Sequence, residues 1–137
     1  MSGIHVSEEL IAVFNDLKIE KKYRFLSFGL NEDRNAIVLY DKGERSDDLT
    51  KLPSVLPQNN CRYVVYDFEY QTKENLPRDT CKLILIVWVP DIAPIKVKVP
   101  FSATKSEIKA AFTGIVKDIQ ASDFSILNYN ELRDECC

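Results

Sequence analysis

Residues 83–89, LILIVWV, are apolar without interruption, and this run limits what a chain of 137 residues can fold into. It is far too short to cross a bilayer, which takes about 20 apolar residues in a helix. As a strand it carries hydrophobic side chains on both faces, so the sheet that holds it must be covered on both sides. A chain of this length buries about two-thirds of its unfolded surface in one domain without needing staples.

Helical and extended patterns alternate around that run. From Ser7, SEELIAVFNDLK spaces Leu10, Val13, Phe14 and Leu17 along one helix face, with Ser7 as N-cap and Glu8 and Glu9 in the first turn. YRFLSFGL and AIVLYDKG flank the turn-like NEDRN and predict a β-hairpin. SDDLTKLPSVLP starts with a serine cap and predicts a short helix broken by Pro53 and Pro57. CRYVVYDFEY is dense in strand formers, QTKENLPRDT is a polar connection to CKLILIVWVP, GIVKDIQ predicts a further strand and NYNELRDECC a short closing helix. The interleaving predicts an α/β (α+β) chain with one mixed sheet sandwiched between helices.

Charge is distributed unevenly. The chain has a formal charge of −3, yet residues 94–117 hold Lys96, Lys98, Lys105, Lys109 and Lys117 against Glu107 alone. A basic, partly apolar segment in an acidic protein points to a binding face, although most charge clusters are solvated helix faces. In its second half, Thr104, Lys105, Ser106 and Glu107 fit a capping box, Ile108, Ala111, Phe112 and Ile115 form one apolar arc, and Gly114 suits a C-cap. In its first half, Ile95, Val97 and Val99 alternate with Lys96 and Lys98 as in a strand, while Pro94 would also suit the start of a short helix kinked at Pro100. Local pattern leaves both open.

Several chemistries are excluded or disfavoured. His5 is the only histidine, which excludes an imidazole metal cluster, and its place in the N-terminal tail disfavours a Cys/His or Ser/His/Asp arrangement, while Gly3, Gly29, Gly43 and Gly114 cannot make a phosphate-binding loop. Asp47–Asp48 reads as a helix first turn, and Asp67 with Glu69 as solvated strand positions. Cys61, Cys81, Cys136 and Cys137 form no CxxC pair, which predicts reduced thiols and no metal site, and the terminal pair lacks a prenylation box. A pI near 5.2 disfavours nucleic acid, and the N-terminus has no secretory pattern, so an intracellular protein is expected. No catalytic residue, cofactor or transmembrane segment is expected.

Several strings in order resemble the ADF/cofilin family of actin-depolymerising proteins. They are the start Ser2-Gly3-Ile4-x-Val6, NDLK, KKYRF and FGLN, CRYVVYDFEY, Trp88-Val89-Pro90-Asp91, Ala93-Pro94-Ile95-Lys96-x-Lys98, Lys105 and Phe112-Thr113-Gly114. Together they span essentially the whole chain. The resemblance implies a single ADF-homology domain over residues 1–137 with 1–6 as a flexible tail, a central mixed sheet of five to six strands sandwiched by helices, and a long kinked actin-binding helix. It therefore favours helix over strand at 94–99 and a kink near Pro100.

By the same resemblance, Ser2, Gly3, Ile4, Val6, Lys96, Lys98, Lys105, Ile108 and Lys109 would grip an actin monomer, and Arg78, Lys82, Arg133, Asp134 and Glu135 would contact the filament. Ser2 resembles the family's regulatory phosphosite, where added negative charge would repel an acidic partner. The lysine surface is similar to one that binds phosphoinositide lipids. Val99, Phe101, Ala103 and Ala110 depart from the family's common Met, Tyr, Ser and basic residue. The last twenty residues carry five acids against Arg133, so monomer binding is expected to be firmer than filament severing. The expected protein is a monomeric, cytoplasmic regulator of filament turnover that prefers ADP-actin. A debranching factor resembling glia maturation factor, a monomer-sequestering protein and a lipid-binding module are the alternatives.

Overall fold

In the computed structural model, which describes residues 5–136, the elements follow in the order α1 (Glu8–Lys18), β1 (Tyr23–Leu30), β2 (Ile37–Glu44), α2 (Leu52–Val55), β3 (Arg62–Gln71), β4 (Asp79–Trp88), α3 (Ile95–Ala103), α4 (Lys105–Ala111), β5 (Ile115–Ala121) and α5 (Tyr129–Cys136). Short 3-10 turns at Leu49–Lys51 and Phe124–Ile126 precede α2 and α5. The strands form one sheet in the order β2-β1-β3-β4-β5. All neighbours are antiparallel except β4 and β5, whose parallel pairing needs a crossover that α3 and α4 supply. The sheet is thus mixed, with five strands.

Residues 83–88 of the apolar run lie in β4 and are buried on both faces, as their composition requires, and Val89 follows the strand. Leu83, Leu85 and Val87 enter one hydrophobic layer and Ile84, Ile86 and Trp88 the other. β3 divides in the same way: Tyr63 and Val65 go to the first layer, and Val64, Tyr66, Phe68 and Tyr70 to the second. Its weak alternation in sequence follows from this, because from Tyr63 to Phe68 neither face is left to solvent; Glu69 and Gln71 at its end are exposed.

The first layer is closed by Leu10, Phe14 and Leu17 of α1 with Phe101, Ile108 and Phe112 of the α3–α4 segment. Phe14 stacks on Phe112 with centroids 4.6 Å apart, which clamps α1 to α4. The second layer is closed by Leu49, Leu52 and Leu56 on one side and Leu127 and Leu132 on the other. There Trp88 stacks on Phe124 at 4.6 Å and donates its indole N–H to the Pro57 carbonyl at 2.6 Å.

Ser7 caps α1 by accepting from the Leu10 amide at 3.3 Å, as its position predicts. The cap before α2 is Asp48, not the serine ahead of it; its carboxylate accepts from the Thr50 amide at 2.9 Å. Pro53 sits in the first turn of α2, where the missing N–H has no intrahelical partner, so it opens the helix rather than breaking it.

Candidate partner-binding surface

The stretch that alternates like a strand is a helix. Pro94 is the extended N-cap of α3, and its carbonyl accepts from the Val97 and Lys98 amides at 2.9 and 3.1 Å. The reason lies in the longer period: Val97, Phe101, Thr104, Ile108 and Phe112 all turn toward the sheet, at steps of three or four residues that run through both helices. Two-residue alternation across 95–99 is therefore incidental to a helical stripe.

The helix does not break where Pro100 predicts. Pro100 lies inside α3, and the intrahelical bond it removes would have used the carbonyl of Lys96, an exposed residue. The interruption falls at Thr104. Phe101's carbonyl accepts from the Tyr63 hydroxyl, from the Thr104 amide at 3.1 Å and from Thr104 Oγ1 at 2.7 Å. Thr104 is fully buried, and its side chain is committed to this cluster. The expected capping box is consequently absent: Thr104 has helical backbone angles and makes no side-chain cap, and Glu107 instead meets His5 at 3.5 Å. Gly114 follows the helix with φ of +101°, a conformation that suits glycine, and starts the turn into β5.

The outer side of α3 is apolar. Ile95 and Val99, one turn apart, are 76% and 64% exposed, and Ile92 in the preceding turn is 70% exposed. Lys96 is exposed and, among the described residues, makes no hydrogen bond or ion pair, whereas Lys98 reaches the Asp91 carbonyl at 3.0 Å. On α4, Lys105 and Lys109 both meet Asp118 of β5, at 2.7 and 3.0 Å. Their hydrogen bonds hold the Asp118 carboxyl down to about 2.

Four lysines and an aliphatic ridge thus share the α3–α4 segment. Ile108 does not join them. It is 0% exposed and packs beneath α4 in the first layer, which corrects its assignment to the contact surface: it anchors the helix that carries Lys105 and Lys109. Ile92, Ile95 and Val99 are the members that motif reading passed over. Ser2, Gly3 and Ile4 lie outside the described residues; Val6 is half-buried against the first layer, and the contact between His5 and Glu107 runs the chain alongside α4.

The second predicted group surrounds Thr72, at the end of the β3–β4 hairpin. Arg133 donates to the Thr72 carbonyl at 3.2 Å, the Arg78 amide donates to Thr72 Oγ1 at 3.1 Å, and Lys73 pairs with Asp134. Lys82 donates to the Cys136 carbonyl at 2.8 Å. Glu135 turns away toward Lys117 of β5 at 3.7 Å. The structure therefore joins α5 to the hairpin through Lys82, Arg133 and Asp134, with Glu135 on the flank, while Arg78 pairs with Glu74 at 3.3 Å inside the hairpin connection.

Asp67 is not the solvated carboxylate its strand position suggests. It is 1% exposed and pairs with Lys21 and Arg45, each at 2.9 Å, while Glu69 bridges Arg24 and Arg45 at 2.7 and 2.8 Å. These acids tie the end of α1 and the exit of β2 to β3. No group of three or more His, Cys, Asp or Glu residues able to hold a metal occurs among the described residues, nor does a helix long and apolar enough to cross a membrane.

Residues 3–137 match the family model described as cofilin/tropomyosin-type actin-binding protein. The chain belongs to the ADF/cofilin family. It is 40% identical over 134 residues to cofilin of Schizosaccharomyces pombe, covering 98% of this chain and 95% of that protein. It is 36% identical over 132 residues to actophorin of Entamoeba histolytica, covering 96% and 94%. Among solved structures, the crystal structure of Streptomyces griseoflavus cofilin superposes with a TM-score of 0.85 at 30% identity, covering 96% of each chain. The five-stranded mixed sheet and the kinked α3–α4 helix are thus family architecture.

Proposed function

We propose that this ADF/cofilin-family chain binds actin, as monomer and in the filament, and promotes filament disassembly by binding rather than by catalysis. The observation that carries the reading is the exposed aliphatic ridge of Ile92, Ile95 and Val99, rimmed by Lys96, Lys98, Lys105 and Lys109 on the kinked helix of a family described as actin-binding. Exposed aliphatic side chains between cations suit a partner with an acidic, partly apolar surface: the charges steer the encounter and the apolar centre holds it. The names of the relatives, cofilin and actophorin, support this reading over a debranching factor.

The finer features belong to the same proposal. Arg78, Lys82, Arg133, Asp134 and Glu135 form the second, filament-directed surface, and the acidic C-terminal segment makes severing weaker than monomer binding. ADP-loaded subunits are preferred, the protein works in the cytoplasm, phosphorylation of Ser2 opposes binding by adding charge of the partner's own sign, and anionic phosphoinositides compete for the lysines. Sedimentation with filamentous actin, reading the bound fraction and the rise in monomer together, tests the function. A monomer titration with Lys96→Ala and Lys98→Ala combined tests the surface, and unchanged affinity would remove those lysines from it.

A further inference from the structure

Lys105 and Lys109 do not project freely from α4: their two ammonium groups close on the two oxygens of one carboxylate, Asp118 Oδ2 at 2.7 Å and Oδ1 at 3.0 Å. Asp118 reaches them because β5 contains an irregularity. Leu83 pairs with Ile115 but Ile84 pairs with Lys117, so Val116 is an extra residue and the strand changes face there. Ile115 accordingly packs in the layer beneath α4, whereas Ile119 and Ala121 pack in the opposite one. Without the extra residue, alternation would send Asp118 to the far side of the sheet and Lys117 toward α4. Lys117 instead meets Glu135 of α5.

The contact is placed to be exchanged rather than to hold the fold. Lys105 and Lys109 side chains remain 35% and 47% exposed and Asp118 30% exposed. The helix has its own anchors, since Ile108 and Phe112 are both fully buried. The carboxylate also sits where its charge matters, against two of the four lysines of the α3–α4 segment; the other two, Lys96 and Lys98, have no carboxylate partner among the described residues.

We propose that Asp118 is an internal competitor that sets the affinity of the α3–α4 surface. In the free protein it occupies the carboxylate position between Lys105 and Lys109 that an acidic side chain of the partner takes on binding. It leaves one net positive charge where two would stand, and it repels the incoming carboxylate at short range. Because both lysines are already turned toward one point, the position offered to the partner is defined before contact. This inference rests on the reading of the surface as an actin contact.

The test compares actin-monomer affinity by fluorescence titration for the wild type, Asp118→Asn, Lys105→Ala/Lys109→Ala and the triple variant, at low and high salt. Asp118→Asn is expected to tighten binding about three- to fivefold at low salt, the range of an exposed ion pair, and the gain is expected to fade as salt screens it. Asp118→Glu, which keeps the charge, is expected to bind like the wild type. In the background lacking both lysines the Asn substitution is expected to have no effect, and urea midpoints are expected to stay near the wild type's. If Asp118→Asn leaves affinity unchanged or weakens it while loss of the lysines weakens binding, Asp118 is not a competitor and the surface reading survives alone. If loss of the lysines changes nothing, the competitor proposal and the assignment of α4 to the contact fail together.

Discussion

Tyr63 stacks its ring on Phe101 at 4.0 Å with 15° between the planes, and donates its hydroxyl to the Phe101 carbonyl. Both residues are essentially inaccessible, so this contact ties the central strand β3 to the place where the long helix breaks. The Tyr63 hydroxyl also lies 3.1 Å from Thr104 Oγ1, which makes the break a small polar cluster inside an apolar layer. Tyr63→Phe keeps the ring and removes the donor, and Phe101's carbonyl keeps its two bonds from Thr104. The expected loss of stability is about 1 kcal/mol in urea unfolding. Hydrogen exchange at the Thr104 and Lys105 amides should quicken in the variant. Unchanged exchange would mean that Thr104 alone sets the break.

The same tyrosine makes the fold sensitive to alkali. Burial pushes the Tyr63 hydroxyl up to about 12, and burial raises Tyr66 as well. A group whose folded value lies above its unfolded value of about 10 stabilises the fold fully below that pH. The contribution is lost as pH rises from about 10 through 12. Urea midpoints of the wild type should therefore decline above pH 10, and those of Tyr63→Phe should decline less steeply, with Tyr66 supplying the remainder. Parallel declines in the two proteins would contradict this account.

Ile95 and Val99 provide the contrast of residues whose removal should spare the fold. At 76% and 64% exposure they contribute little to the core, so Ile95→Ala/Val99→Ala should unfold within about 0.5 kcal/mol of the wild type. Monomer affinity should nevertheless drop about tenfold or more, because aliphatic side chains left in water by the free protein would be buried by the partner. Wild-type affinity in a fluorescence titration would show that the ridge lies outside the contact.

Much of the architecture was legible because single residues settled it. The doubly apolar β4 required two layers, and Ser7 with its acidic first turn located α1. Where reading failed, the deciding information was tertiary or lay at longer range. Residues 95–99 alternate, and only the stripe from Val97 to Phe112 reveals the helix. Thr104 in a T-x-x-E string resembles a cap until Tyr63, forty-one positions earlier in sequence, engages it. Asp118 meets α4 through a strand irregularity that no periodicity in GIVKDIQ announces. Asp67 looks like a solvated strand residue until Lys21 and Arg45 arrive from other elements. The family resemblance named Ile108 together with the lysines, and resemblance carries over a position without its surroundings: here Ile108 lies on the side of the helix that faces the sheet.

Ile108 separates stability from recognition. Its removal in Ile108→Ala empties space between α4 and the sheet and should cost about 2–5 kcal/mol. Monomer affinity, measured where the variant remains folded, should fall far less than for the Ile95/Val99 variant. A strong affinity loss with little destabilisation would return Ile108 to the contact surface.

The Arg45–Asp67 pair makes an asymmetric prediction. Asp67 is 1% exposed and its Oδ1 has no hydrogen-bond partner, while Arg45 and Lys21, both on Oδ2, have side chains 28% and 47% exposed. Arg45→Met leaves the carboxylate buried with Lys21 alone, and breaking a buried pair from the cation side should cost about 2–4 kcal/mol. Asp67→Asn keeps the shape and removes the charge, and the cations left behind can turn to water, so its cost should be nearer about 1–2 kcal/mol. The ranking in urea unfolding is the test. Asp67→Asn equal to or worse than Arg45→Met would mean that the cations, not the carboxylate, are the groups that depend on the pair.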